Sequence, residues 1–132
     1  MIGERDLSRL LSELEPELHP GRYVFVSVPG KAPADVHPVV TVTEDDGTTL
    51  VLSRAEADTH HLEYDLVTAW ITLTVHSALD AIGLTAAVAT ALAAESIPCN
   101  VVAGYYHDHL FVPYDQAQRS METLRALAAG TL

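Results

Sequence analysis

The chain is short of several residue types that carry chemistry. One cysteine in 132 residues, Cys99, leaves no partner for an internal disulfide. Basic side chains are scarce, 7 against 18 acidic ones, for a formal charge of −11. A charge of that sign repels phosphate backbones and anionic lipid surfaces, so nucleic acid and membrane partners are not expected. No long apolar run occurs: the longest, Ile82 to Ala94, is about half of the roughly 20 residues that span a bilayer, and Thr85 and Thr90 interrupt it. No basic and apolar leader opens the sequence, and no phosphate loop or dinucleotide fingerprint appears in it, so the chain reads as cytoplasmic. What it does have is 48% apolar residues and a mean hydropathy of +0.18, enough for one compact unit or two small modules.

The patterning is that of an α+β protein. Leu7, Leu10, Leu11 and Leu14 recur at helical spacing behind Asp6, a cap residue. Pro16 and the Pro20-Gly21 pair end that helix, and Tyr23 to Val28 reads as a buried strand. After a loop with two prolines, Val39 to Thr43 and Thr49 to Leu52 form a hairpin around Asp45, Asp46 and Gly47. Ser53, with Glu56 three residues on, caps a short helix. Trp70 to Val75 gives a strand, and the chain then passes through HSALDAIGL into a helix that ends near Ser96. A second hairpin joins CNVVAGYY to LFVP, and Tyr114 or Asp115 caps a last helix carrying Met121, Leu124 and Leu127. The second half is therefore β-α-β-β-α, and the first half follows the same order in degenerate form. The expected domains are residues 1–66 and 67–132, each a ferredoxin-like sheet covered by helices. The second lacks a closing strand after Leu127, which predicts strands shared between the modules.

Two stretches hold candidate chemistry. Gly83 at a helix start permits close backbone approach, and the free amides of Gly83, Leu84 and Thr85 suit a carboxylate; the plainer reading is that Gly83 only permits the turn. His76 and Ser77 end the preceding strand, within reach of the same crevice. In the His107-Asp108-His109 run, two imidazoles on one strand face would stand about 7 Å apart and need a third ligand such as His76 to hold a metal. Turn chemistry favours placing all three in the hairpin turn, where they could also line a ligand site. His60 and His61 read as solvated. Catalysis finds little support. Cys99 has no neighbouring cation to activate it, and His76 and Ser77 point to opposite sides of a strand.

The run ITLTVHSALDAIGLTAAVATALAAESIPCNVVAGYYHDHLFVP resembles an ACT module: strand, glycine followed by an apolar residue, helix, second strand. Together with HPGRYVFVSV it is similar, over nearly the whole chain, to a bacterial family of small tandem ACT-like proteins. The resemblance implies a non-enzymatic regulatory protein that binds an amino acid or related metabolite at a module interface, as in the regulatory parts of aspartokinases. No cofactor and no resident metal are expected, and the exposed sheet edges of small modules give a reason to pair in a homodimer. Gly83 matches the family's glycine. Asn100 stands where those enzymes often carry an aspartate, so an amide replaces a charge there. The ligand-binding residues so implied are His76, Ser77, Ile82, Gly83, Leu84, Thr85, Cys99, Asn100 and Val101, with His107 and His109 as lining residues. The competing readings are a small metal-dependent enzyme built on His76, His107 and His109, and a structural dimerisation module.

Overall fold

The computed structural model describes residues 3–132. In chain order its elements are α1 (Leu7–Ser12), β1 (Pro16–Leu18), β2 (Tyr23–Val28), β3 (Val40–Glu44), β4 (Gly47–Ser53), α2 (Arg54–Thr59), β5 (Val67–Leu73), α3 (Leu84–Ala94), β6 (Asn100–Ala103), β7 (Asp108–Pro113) and α4 (Ala117–Ala129), the last preceded by a 3-10 turn at Tyr114–Gln116. The mixed α+β, ferredoxin-like architecture expected from the pattern is what forms. Two compact units divide it: Pro20–Thr68, and the segment up to His19 together with Ala69–Leu132.

In the Pro20–Thr68 unit, β2 and β3 each pair antiparallel with β4, and the first residues of β5 pair with β2 through Tyr23 opposite Thr68. Period-2 alternation sets which face is covered. Val24, Val26 and Val28 are buried with Leu50, Leu52 and Ala57, while Tyr23, Phe25 and Ser27 point the other way. The hairpin closes at Gly47, whose φ of +148° and close approach to the Val28 carbonyl leave no room for a side chain. Ser53 caps α2 by accepting from the Glu56 amide at 3.2 Å.

In the other unit, β1 pairs antiparallel with Ile71–Leu73 of β5, β7 neighbours β5, and β6 forms the outer strand. β1 is invisible as a pattern: three residues, Pro-Glu-Leu, follow a proline signal that predicts only a helix end. It adds a strand to β5 in the unit whose closing strand seemed missing. The helices α1, α3 and α4 pack on one another over Ile71, Leu73, Leu110 and Val112. Asp6 caps α1 at 3.0 Å through the Ser8 amide.

The second hairpin differs from expectation. Its turn is Gly104 to His107, closed by the Gly104 amide donating to the His107 carbonyl at 2.9 Å. Asp108 and His109 lie within β7, opposite Ala103 and Val102. The reason is parity. Leu110 and Val112 must face the helices, which fixes the register and turns His109 and Phe111 to the opposite face whatever the turn preference of Asp108. The last helix is likewise capped at Gln116 after the 3-10 turn, not at Tyr114 or Asp115. Among the described residues no helix is long and apolar enough to cross a membrane.

Candidate functional site

The segment between β5 and α3 runs over the end of its unit and is held from outside by the chain's first described residues. The Glu4 amide donates to the His76 carbonyl at 2.9 Å, and the Ala78 amide donates to the Glu4 carbonyl at 3.0 Å. Gly3 lies so close beneath that a Cβ on it would meet the Ala78 nitrogen at 2.5 Å and the Ser77 carbonyl carbon at 2.7 Å. Only glycine fits there. One residue beyond this bridge, Arg5 grips Asp80 with two bonds, Nε to Oδ1 at 2.8 Å and Nη2 to Oδ2 at 3.2 Å. That hydrogen bonding holds the Asp80 carboxyl below the usual carboxylate range.

A cleft of about 250 Å³ opens here, lined by Gly3, Arg5, His76, Leu79, Asp80 and Tyr105 among others. The Gly104–His107 turn places its tyrosines alongside: Tyr106 lies 5.6 Å from the His76 ring, and Tyr105 meets Tyr106 edge to face at 5.0 Å. His76, an expected site residue, is thus joined by Tyr105 and by Arg5 and Asp80, the last two of which sequence reasoning did not select. Arg5 and Asp80 are 75 residues apart, and no local signal announces such a pair.

Gly83 is the N-cap of α3, with a φ of +104° and no side chain capping the amides that follow. A Cβ on it would meet Leu7 Cδ2 at 2.9 Å. Leu84 is buried in the core and Thr85 is exposed. Ser77 Oγ donates to the Ala78 carbonyl at 3.3 Å, and Ile82 is 85% exposed. Asn100 opens β6 on the exposed outer strand, opposite Phe111, while Cys99 and Val101 pack against the core. Burial pushes the Cys99 thiol up to about 11, the wrong direction for a nucleophile. Neither Gly83 to Thr85 nor Asn100 is among the residues lining the cleft.

The histidines part company. His76 faces Tyr106, His107 belongs to the turn, and His109 turns to Trp70, whose Nε1 donates to His109 Nδ1 at 3.1 Å. Among the described residues no group of three or more His, Cys, Asp or Glu is gathered to hold a metal ion, so the metal centre expected as an alternative on His76, His107 and His109 is not assembled. In its place stands a cluster absent from the sequence reading. The His19 ring stacks on Trp70 at 3.6 Å between centroids, and Thr72 Oγ1 lies 2.7 Å from His19 Nε2 and 3.0 Å from His109 Nδ1. Burial lowers the pKa of both imidazoles, against the opposing charges of Glu17 on His19 and Asp108 on His109. Burial raises that of Asp108. His19 was beyond reach because it depends on β1.

A strand order that places helices over one face of each unit, with a glycine-capped helix after the first long strand of the second half, is the arrangement of ACT domains. Two ACT domain matches cover the chain, at residues 2–69 and 66–126, and the chain belongs to that family as a tandem of two. A solved structure of a Vibrio cholerae protein, described as of unknown function and as a possible transport protein, is 46% identical, with 92% of this chain and 95% of that chain covered and a TM-score of 0.83. An Agrobacterium tumefaciens protein is 19% identical, with 87% and 89% covered and a TM-score of 0.70. The ligand-free regulatory subunit of aspartate kinase from Thermus thermophilus shares the fold at 8% identity, with 85% and 95% covered and a TM-score of 0.57. No curated protein matches the chain.

Proposed function

We propose that this chain is a non-enzymatic ACT protein that binds an amino acid or related metabolite and passes the binding on through association, as a cytoplasmic homodimer of modules divided near residues 66 and 67. Its family and the aspartate kinase regulatory fold support a regulatory small-molecule role in general. The observation that carries the finer reading is the opposed charge pair at the 250 Å³ cleft. Arg5 and Asp80 are largely solvated, so separating them costs little. A zwitterion complements both: its carboxylate takes the Arg5 fork and its ammonium takes Asp80, with His76 and Tyr105 against the side chain.

A second placement has its own support. The first-turn amides at Gly83, Leu84 and Thr85 lack a side-chain cap and suit the carboxylate, with the amine near Asn100 and the walls formed by Ser77, Ile82, Cys99 and Val101. Thermal-shift measurement with each of the proteinogenic amino acids tests the function and separates the placements. A ligand at about one hundred times its Kd adds about 2.7 kcal/mol of stability. Loss of that shift in Arg5→Ala locates the ligand in the cleft, and loss in Asn100→Ala locates it at the helix start. No shift with any amino acid overturns the reading.

A further inference from the structure

The cleft beside Arg5 and Asp80 also constrains the side chain of its ligand. Its volume of about 250 Å³ lies below the roughly 300–1,000 Å³ of pockets that enclose drug-sized molecules, and suits one amino acid better than a nucleotide. Its two opposite charges are both taken by the backbone of a zwitterion, the carboxylate on Arg5 and the ammonium on Asp80. Among the described residues, what remains of the lining is Gly3, His76, Ala78, Leu79 and Tyr105, with no lysine, arginine or carboxylate. A charged ligand side chain finds no ion-pair partner in that set, and desolvating it there carries a cost that an apolar side chain does not meet. The formal charge of −11 adds repulsion against a second carboxylate.

The remaining walls are apolar and open. Leu79 of the segment between β5 and α3 is 68% exposed, and Tyr105 of the Gly104–His107 turn is 58% exposed. Large apolar side chains exposed singly are ordinary, but these two come from different loops to line one cleft. The His76 ring beside them is braced by Tyr106, with 5.6 Å between centroids. A ligand side chain laid against these walls removes apolar area from water on both molecules, and each buried methylene is worth about a fourfold gain in affinity. An aromatic side chain gains ring contact with Tyr105 as well. We propose that the cleft selects a neutral amino acid with a large apolar side chain, aliphatic or aromatic, and that Leu79 and Tyr105 set this preference. The selection rests on the amino acid reading and on its placement at Arg5 and Asp80. It goes beyond them in rejecting acidic, basic and small amino acids.

The test is isothermal titration calorimetry of the full chain with L-leucine, L-phenylalanine, L-alanine, L-aspartate and L-lysine in one buffer. Leucine and phenylalanine are expected to bind about tenfold or more tighter than alanine, and aspartate and lysine no tighter than alanine. Leu79→Ala is expected to lower the ratio of leucine to alanine affinity about fourfold or more, and Tyr105→Ala to do the same to the ratio of phenylalanine to alanine. Aspartate or lysine binding as tightly as leucine, and lost in Arg5→Ala, overturns the preference and leaves the amino acid reading in place. Equal affinities for alanine and leucine do the same. Leucine binding that survives Arg5→Ala, or ratios unchanged in both wall variants, puts the ligand outside this cleft and overturns the proposal. Failure of all five to bind overturns the preference, and absence of a thermal shift with every other amino acid then removes the reading beneath it.

Discussion

Trp70 is the one tryptophan of the chain, and its ring is in contact with one histidine and hydrogen-bonded to another. Because indole N–H only donates, His109 Nδ1 must accept, which fixes the neutral Nε2–H tautomer. Protonation of Nδ1 removes that acceptor. Burial independently sets the folded pKa values of both His19 and His109 below the unfolded value of about 6.5. As pH falls below that value the unfolded chain takes up protons that the folded chain refuses, so their contribution is intact above pH 6.5 and is lost on descent through the folded values. His60 has the opposite sign. Its hydrogen bond to the Asp35 carboxylate raises its pKa, so its contribution is present below 6.5 and fades as pH rises, but the pair is exposed and screened. The urea midpoint is expected to fall between pH 7.5 and pH 5.5, with Trp70 emission of the folded chain changing at a midpoint below 6.5. A midpoint at or above 6.5 contradicts this account. At Gly83 the backbone makes its own prediction: Gly83→Ala must carry a positive φ and displace Leu7, costing about 1–3 kcal/mol in denaturant unfolding.

Elements read correctly from sequence are those whose signal is local and repeated. The leucines of α1, the valines of β2, the Asp-Asp-Gly hairpin and the Ser53 cap each carry their instruction within a few residues. Ser53→Ala is accordingly expected to cost about 1 kcal/mol through the orphaned Glu56 amide, measured by the shift in urea midpoint. What was not legible depends on partners far along the chain. β1 becomes a strand because β5 offers it an edge, and the Asp108 turn preference yields to the register that Leu110 and Val112 impose. The candidate cleft divides the same way. His76 and Gly83 stand out in sequence, whereas Arg5 and Asp80 form a site only once Gly3 and Glu4 are laid against residues 76–78.

At the scale of the molecule, the proposed dimer needs a surface, and β3 offers one. It ends its sheet, and Val39 and Val42 are 39% and 44% exposed beside a strand edge that pairs with no other strand among the described residues. Light scattering after size exclusion is expected to give twice the 14.2 kDa chain mass, and Val42→Lys to return it to a single chain. Wild-type protein at the single-chain mass removes the dimer from the proposal.

The interleaving of the two units also bears on synthesis. Residues 20–68 emerge from the ribosome as an unbroken compact unit, whereas α1 and β1 come first and belong with residues 69–132. Leu10 and Leu14 must wait for Ile71 and Leu73, some 60 residues on, and for Met121 and Leu124 later still. At the usual elongation rates that delay is on the order of ten seconds. The nascent chain thus carries an unburied leucine stripe while residues 20–68 fold, a natural target for ribosome-associated chaperones.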